Sequence, residues 1–159
     1  MSMPMFFTVA VISENSGEIA STVCALLGGP GNIKIEPHIV AAKVLDLKRN
    51  EREHLYAGEE YGLRISESVD LRILDPRHID LWIALDKKAQ ASAMRRVNEA
   101  GPAPGNFYRH IFPQPVVFCG FHVPSLQEHH GIYRSWFDAL RVLFDPWKQK
   151  LWDAFCDSS

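Results

Sequence analysis

The sequence predicts an α+β fold: a single layered domain over residues 1–159, with a mostly antiparallel sheet, helices, and an aromatic-rich helical pair at its end. Three observations lead there. The last third carries a helical stripe of large apolar residues. Two runs in the middle alternate apolar and polar residues around a proline turn, as a hairpin does. Helical spacing at both ends brackets that strand-rich middle.

At 159 residues the chain can bury a core without staples, and 47% hydrophobic with 23% charged residues is ordinary globular composition. A net charge of -2 argues against a broad basic face for nucleic acid. Cys24, Cys119 and Cys156 are odd in number and lack metal or redox spacing, so they read as buried reduced thiols in a cytoplasmic protein. The N-terminus lacks the basic region and apolar run of a signal peptide, and no stretch is long and apolar enough to span a bilayer.

Phe6 to Ile12, β-branched and aromatic without a breaker, reads as a buried strand. Ser16 can cap a helix whose inner stripe is Ile19, Val23, Leu26 and Leu27, ended by Gly28-Gly29-Pro30-Gly31. That GGPG run follows a helix and lacks the Lys-Ser/Thr signature, so it is no phosphate loop. Ile33 to Leu47 is strand-like, and Lys48 to Glu60 is a charged helix or loop. Leu63 to Leu74, then Ile79, Leu81 and Ile83, form the expected hairpin around Asp75-Pro76; a helix capped at Asp75 is the competing reading. Lys87 to Ala100 has Ala89, Ala93, Met94 and Val97 at helical spacing. A Pro/Gly-rich loop precedes a last strand, Val116 to His122.

Ser125 and Glu128 have the spacing of a capping box. His129, Ile132, Tyr133, Trp136, Phe137, Leu140, Leu143 and Phe144 then make one stripe. Asp145-Pro146 is expected to stop that helix and start another, carrying Trp147, Leu151 and Phe155 with Trp152 beside them.

Chemical motifs are sparse. Adjacent residues on a helix point about 100° apart, so His129 and His130 do not share one metal ion; His129 reads as a hydrogen-bonded core histidine. Ser125 lacks a nucleophile-elbow setting. No catalytic residue, metal site or cofactor is assigned on these grounds. The tryptophans Trp136, Trp147 and Trp152 read as core. Two surface features suit a protein partner: the acidic Glu59, Glu60 and Tyr61, and the loop residues Phe107, Tyr108 and Arg109, where aromatic and Arg side chains can act as anchors.

The segments FFTVAVIS, GEEYGLRI, DLWIAL and WFDALRVLFDPWKQKLW together resemble bacterial polymorphic-toxin immunity proteins, most nearly the immunity protein 52 family. That resemblance implies a non-enzymatic cytoplasmic inhibitor that neutralises a cognate toxin, a nuclease delivered by type VI secretion, through tight stoichiometric binding. The alternative is a small ligand- or metal-binding domain or enzyme that uses His122 and His129.

Overall fold

The computed structural model describes residues 8–14, 17–28, 38–43, 51–65, 69–71, 74–101, 112 and 114–157. Strands and helices alternate along it: β1 (Thr8–Ser13), α1 (Gly17–Gly28), β2 (His38–Lys43), α2 (Glu51–Tyr61), β3 (Val69–Asp70), β4 (Leu81–Ala84), α3 (Lys87–Ala100), β5 (Val116–Phe118) and α4 (Tyr133–Asp157). The strands form one sheet in the order β3-β2-β1-β4-β5. Every pairing in it is parallel, with Val9 opposite Ile39 on one side and Leu81 on the other.

The expected antiparallel sheet is therefore corrected to a parallel α/β sheet. The reason lies in β1 and β4, where Val9 to Ile12 and Leu81 to Ala84 are all 0% exposed. A strand buried on both faces is what helices packed above and below a parallel sheet require. Val9, Val11, Leu81 and Ile83 pack with Val23 and Leu27 of α1 and with Trp136, Phe137, Leu140 and Phe144 of α4. The alternate residues Ala10, Ile12, Trp82 and Ala84 pack with Ala89, Ala93 and Val97 of α3. The period of two along each strand thus feeds two cores rather than one core and solvent.

The expected hairpin does not form, because β3 and β4 lie on opposite sides of the β2-β1 pair. Asp75 is a cap, as the competing reading had it, but of a single 3-10 turn: its carboxylate accepts from the Arg77 N–H at 3.0 Å and Pro76 opens the turn. The chain then enters β4 as a strand.

The helical pair is also corrected. α4 is one helix of 25 residues with Pro146 inside it. A proline in a helix interior costs about 3 kcal/mol, and here buried Phe144 and Leu151 hold the helix to the core on either side. The capping box does form: the Ser125 N–H donates to Glu128 Oε2 at 2.6 Å and the Glu128 N–H to Ser125 Oγ at 3.4 Å. It closes the 3-10 turn Gln127–His129 rather than α4 itself. His129 is half-buried and bonded to Ser135 Oγ at 2.8 Å, outside the core. Cys24 and Cys119 are free and buried, as expected; the side chain of Cys156 lies outside the described residues.

Candidate functional site

In an open parallel sheet, ligands bind beyond the carboxyl ends of the strands where the strand order reverses. Here the chain moves outward from β1 to β2 and β3, then returns to the other side of β1 for β4 and β5, so the reversal falls between β1 and β4. A hollow of about 400 Å³ lies at that point. Its walls are Ser13 from the end of β1, Ile19 from α1, Leu85, Asp86 and Lys87 from the β4–α3 junction, Phe118 from the end of β5, and Gly120, Phe121, His122 and Val123 beyond it.

Asp86 organises the floor. Its Oδ1 accepts from the Ala89 N–H at 2.7 Å and so caps α3. Its Oδ2 accepts from the Glu14 N–H at 3.0 Å and from the Ser13 hydroxyl at 3.3 Å. One carboxylate thereby ties the end of β1 to the start of α3 and holds the Ser13 hydroxyl at the edge of the hollow. Ser13 is 3% exposed in the free protein. Glu14, next along, has Oε2 buried without a hydrogen-bond partner among the described residues. An orphaned carboxylate oxygen of that kind is unfavourable until a donor reaches it.

The segment beyond β5 forms the opposite wall and is anchored twice. Phe121 packs edge-on against Phe144, with ring centroids 5.2 Å apart. The buried Trp136 donates its indole N–H to the Pro124 carbonyl at 2.8 Å. Gly120 has φ +85, a conformation that lets the chain turn over the strand end and that side-chain-bearing residues rarely adopt. His122 stands between these anchors, exposed, with Nε2 at 2.8 Å from Glu128 Oε1. The Ser125 N–H and then His122 hold the Glu128 carboxyl below its ordinary range.

Neither described thiol suits nucleophilic chemistry. Cys119 sits beneath the wall and donates to the Phe121 carbonyl at 3.4 Å; burial pushes its thiol up. Burial likewise pushes Cys24 far up. No cluster of three metal-ligating side chains exists among the described residues, and no described helix is long and apolar enough to cross a membrane.

The residues expected to bind a partner lie elsewhere. Glu59 and Glu60 are exposed on the last turn of α2. Glu60 and Tyr61 line a second, larger hollow of about 710 Å³ against Tyr133, Arg134, Phe137, Asp138 and Arg141 of α4. Tyr61 donates to Asp138, lies 5.2 Å from the Phe137 ring and sits under the Arg141 guanidinium. Phe107, Tyr108 and Arg109 lie outside the described residues. The smaller hollow is the better candidate, because the carboxyl ends of the strands and a helix start converge on it. Reading the sequence missed Ser13 and Asp86; the signal was their place, Ser13 at the end of buried β1 and Asp86 two residues beyond the end of buried β4.

No family model and no curated sequence matches the chain. Solved structures do match along nearly the whole length. A low molecular weight protein tyrosine phosphatase from Streptococcus pyogenes matches with TM-score 0.64 and 10% identity, over 92% of this chain and 93% of that one. An arginine phosphatase, in a mutant whose seventh residue is changed from cysteine to a phosphorylated active-site serine, gives 0.60 and 13% over 91% and 95%. An arsenate reductase from Archaeoglobus fulgidus gives 0.55 and 14% over 89% and 98%. These findings overturn the immunity-protein resemblance, and with it the nuclease-toxin partner, the type VI secretion setting and the non-enzymatic role. The segments that carried it are packing signals: DLWIAL is the doubly buried β4, and WFDALRVLF presents the buried face of α4. The chain has the low molecular weight phosphatase fold.

Proposed function

We propose that this chain is a cytoplasmic enzyme that hydrolyses a small phosphorylated substrate in the hollow at the ends of β1, β4 and β5. The observation that carries the reading is the Ser13 hydroxyl, placed at the end of β1 and hydrogen-bonded to the Asp86 carboxylate. An oxygen nucleophile needs a nearby group to take its proton, and Asp86 is that group. The arginine phosphatase mutant supports the assignment only in that a protein of this fold carries a phosphoryl group on an active-site serine, which there replaces a cysteine. α1 and α3 both begin at the hollow, and helix starts favour anions; Lys87 adds a cation. Free, buried Cys24 and Cys119 fit a reducing compartment.

In this scheme Ser13 Oγ bonds to phosphorus, its proton passes to Asp86, and the bond from phosphorus to the substrate's leaving atom breaks. Water then attacks the phosphoserine, and Asp86 returns the proton to Ser13. The test is hydrolysis of 4-nitrophenyl phosphate and phenyl phosphate, with mass spectrometry for a phosphoryl group on Ser13. Ser13→Ala is expected to lower the rate at least about 100-fold, the low end of what loss of one chemical group costs. A folded Ser13→Ala variant as active as the parent, or a parent inert toward both esters, would remove the reading. Binding of the esters without turnover would keep the site and remove the chemistry.

A further inference from the structure

The scheme above supplies a nucleophile but nothing to protonate the departing group. His122 is placed for that on the facing wall of the same hollow. We propose, resting on that reading, that His122 gives the leaving atom its proton and later takes one from the attacking water, and that Glu128 fixes the ring for this task.

The geometry runs from the capping box outward. Glu128 Oε2 accepts from the Ser125 N–H at 2.6 Å, so the carboxylate is held by the backbone of its own turn. Its other oxygen, Oε1, lies 2.8 Å from His122 Nε2. An ionised carboxylate only accepts, so Nε2 carries a hydrogen and donates. That assigns the tautomer: Nδ1 is the nitrogen left to exchange a proton with a ligand. The capping box at the start of the turn Gln127–His129 thus doubles as the orienting group of a histidine, and the anchors at Phe121 and Pro124 fix the backbone on both sides of His122.

The proton balance closes. In the first step imidazolium Nδ1–H protonates the leaving atom as its bond to phosphorus breaks, while the Ser13 proton goes to Asp86. The leaving group departs neutral and the ring is left neutral. In the second step water enters from the side the leaving group vacated. Its proton goes to Nδ1, its oxygen bonds to phosphorus, and the bond from phosphorus to Ser13 Oγ breaks as Asp86 returns its proton. The His122 ring and the Asp86 carboxylate are then as they began, with no co-reactant beyond water.

A proton donor matters most for a poor leaving group, and general acid catalysis is worth 10²–10⁴-fold. His122→Gln is therefore expected to slow phenyl phosphate by about 100-fold, at least ten times more than it slows 4-nitrophenyl phosphate, whose phenolate leaves unaided. Glu128 is a positioning residue, read by its unequal effect on the two esters. The groups facing the ring are Glu128 on its own segment and Asp86 and Lys87 across the hollow. Glu128→Gln removes the charged acceptor that orients the ring, so phenyl phosphate hydrolysis is expected to fall more than 4-nitrophenyl phosphate hydrolysis while circular dichroism stays that of the parent. Equal slowing of the two esters by His122→Gln, or none, with Ser13→Ala still inactive, would overturn the role of His122 alone. A parent inert toward both esters would overturn this role together with the reading beneath it.

Discussion

Two aspartates close the two ends of the β1–β4 pair, and they do so differently. At the amino end, Asp80 Oδ2 accepts from the Thr8 N–H at 2.8 Å while the Asp80 N–H donates to the Thr8 carbonyl at 2.9 Å. The bond is reciprocal, sealed and local. At the carboxyl end, Asp86 gathers three donors from β1, the residue after it and α3, and an open hollow remains above them. A parallel sheet makes this asymmetry, because helices leave from the carboxyl ends and spread there. The amino end serves stability, and the proposed chemistry lies at the carboxyl end.

Asparagine at each position breaks the comparison most sharply. Asp86 uses both oxygens as acceptors, so Asp86→Asn aims an amide at a backbone or hydroxyl donor. It also cannot take the Ser13 proton. Ester hydrolysis is expected to fall at least about 100-fold, and stability by about 1–3 kcal/mol, the cost of a frustrated donor. Rate assays and urea unfolding on the same preparation separate the two effects. Full activity in a folded Asp86→Asn variant would refute the proton-accepting role.

The second hollow gives a smaller contrast. There Tyr61, Asp138 and Arg141 satisfy one another between α2 and α4. Tyr61→Phe removes one hydrogen bond while Asp138 keeps Arg141, so about 1 kcal/mol of stability is lost and hydrolysis is unchanged. A fall in rate without a fall in stability would transfer the functional assignment toward that hollow.

Single elements were legible, but the sheet was not. The inner stripe of α1 and the helix at Lys87 to Ala100 stand as local spacing implied, whereas the Asp75 cap and the Ser125–Glu128 box each sit on a 3-10 turn instead of the hairpin and the long helix expected there. Local spacing could not tell whether Trp82, between Leu81 and Ile83, faced solvent or a second core; reading alternation there as one-sided burial produced the hairpin. Had β4 been taken as buried on both faces, the regular alternation of strand and helix would have implied a parallel sheet and a site at its carboxyl ends. Ser13 and Asp86 are 73 positions apart in the bond they share, and neither sits in a motif. Their meaning comes from strand order, which composition and periodicity do not carry. His122 was nameable as a histidine near a turn, but its partner Glu128 already had an explanation as a cap.

The gentlest test returns to the amino end. Asp80 is half-buried, and burial outweighs its bond from Thr8 to hold its carboxyl above the ordinary range. A carboxyl raised on folding binds its proton more tightly in the native state, so it favours the fold at pH below its unfolded value, and that benefit is lost as pH climbs through the raised one. Only one of its oxygens is engaged among the described residues, so asparagine can turn its oxygen to the Thr8 N–H and lose nothing. Asp80→Asn is therefore expected to leave hydrolysis unchanged, raise the melting temperature slightly at pH 7, and flatten the stability profile over the mildly acidic range. A lowered melting temperature at pH 7 would mean that the charge of Asp80, and not merely its acceptor, holds the two strands together at that end.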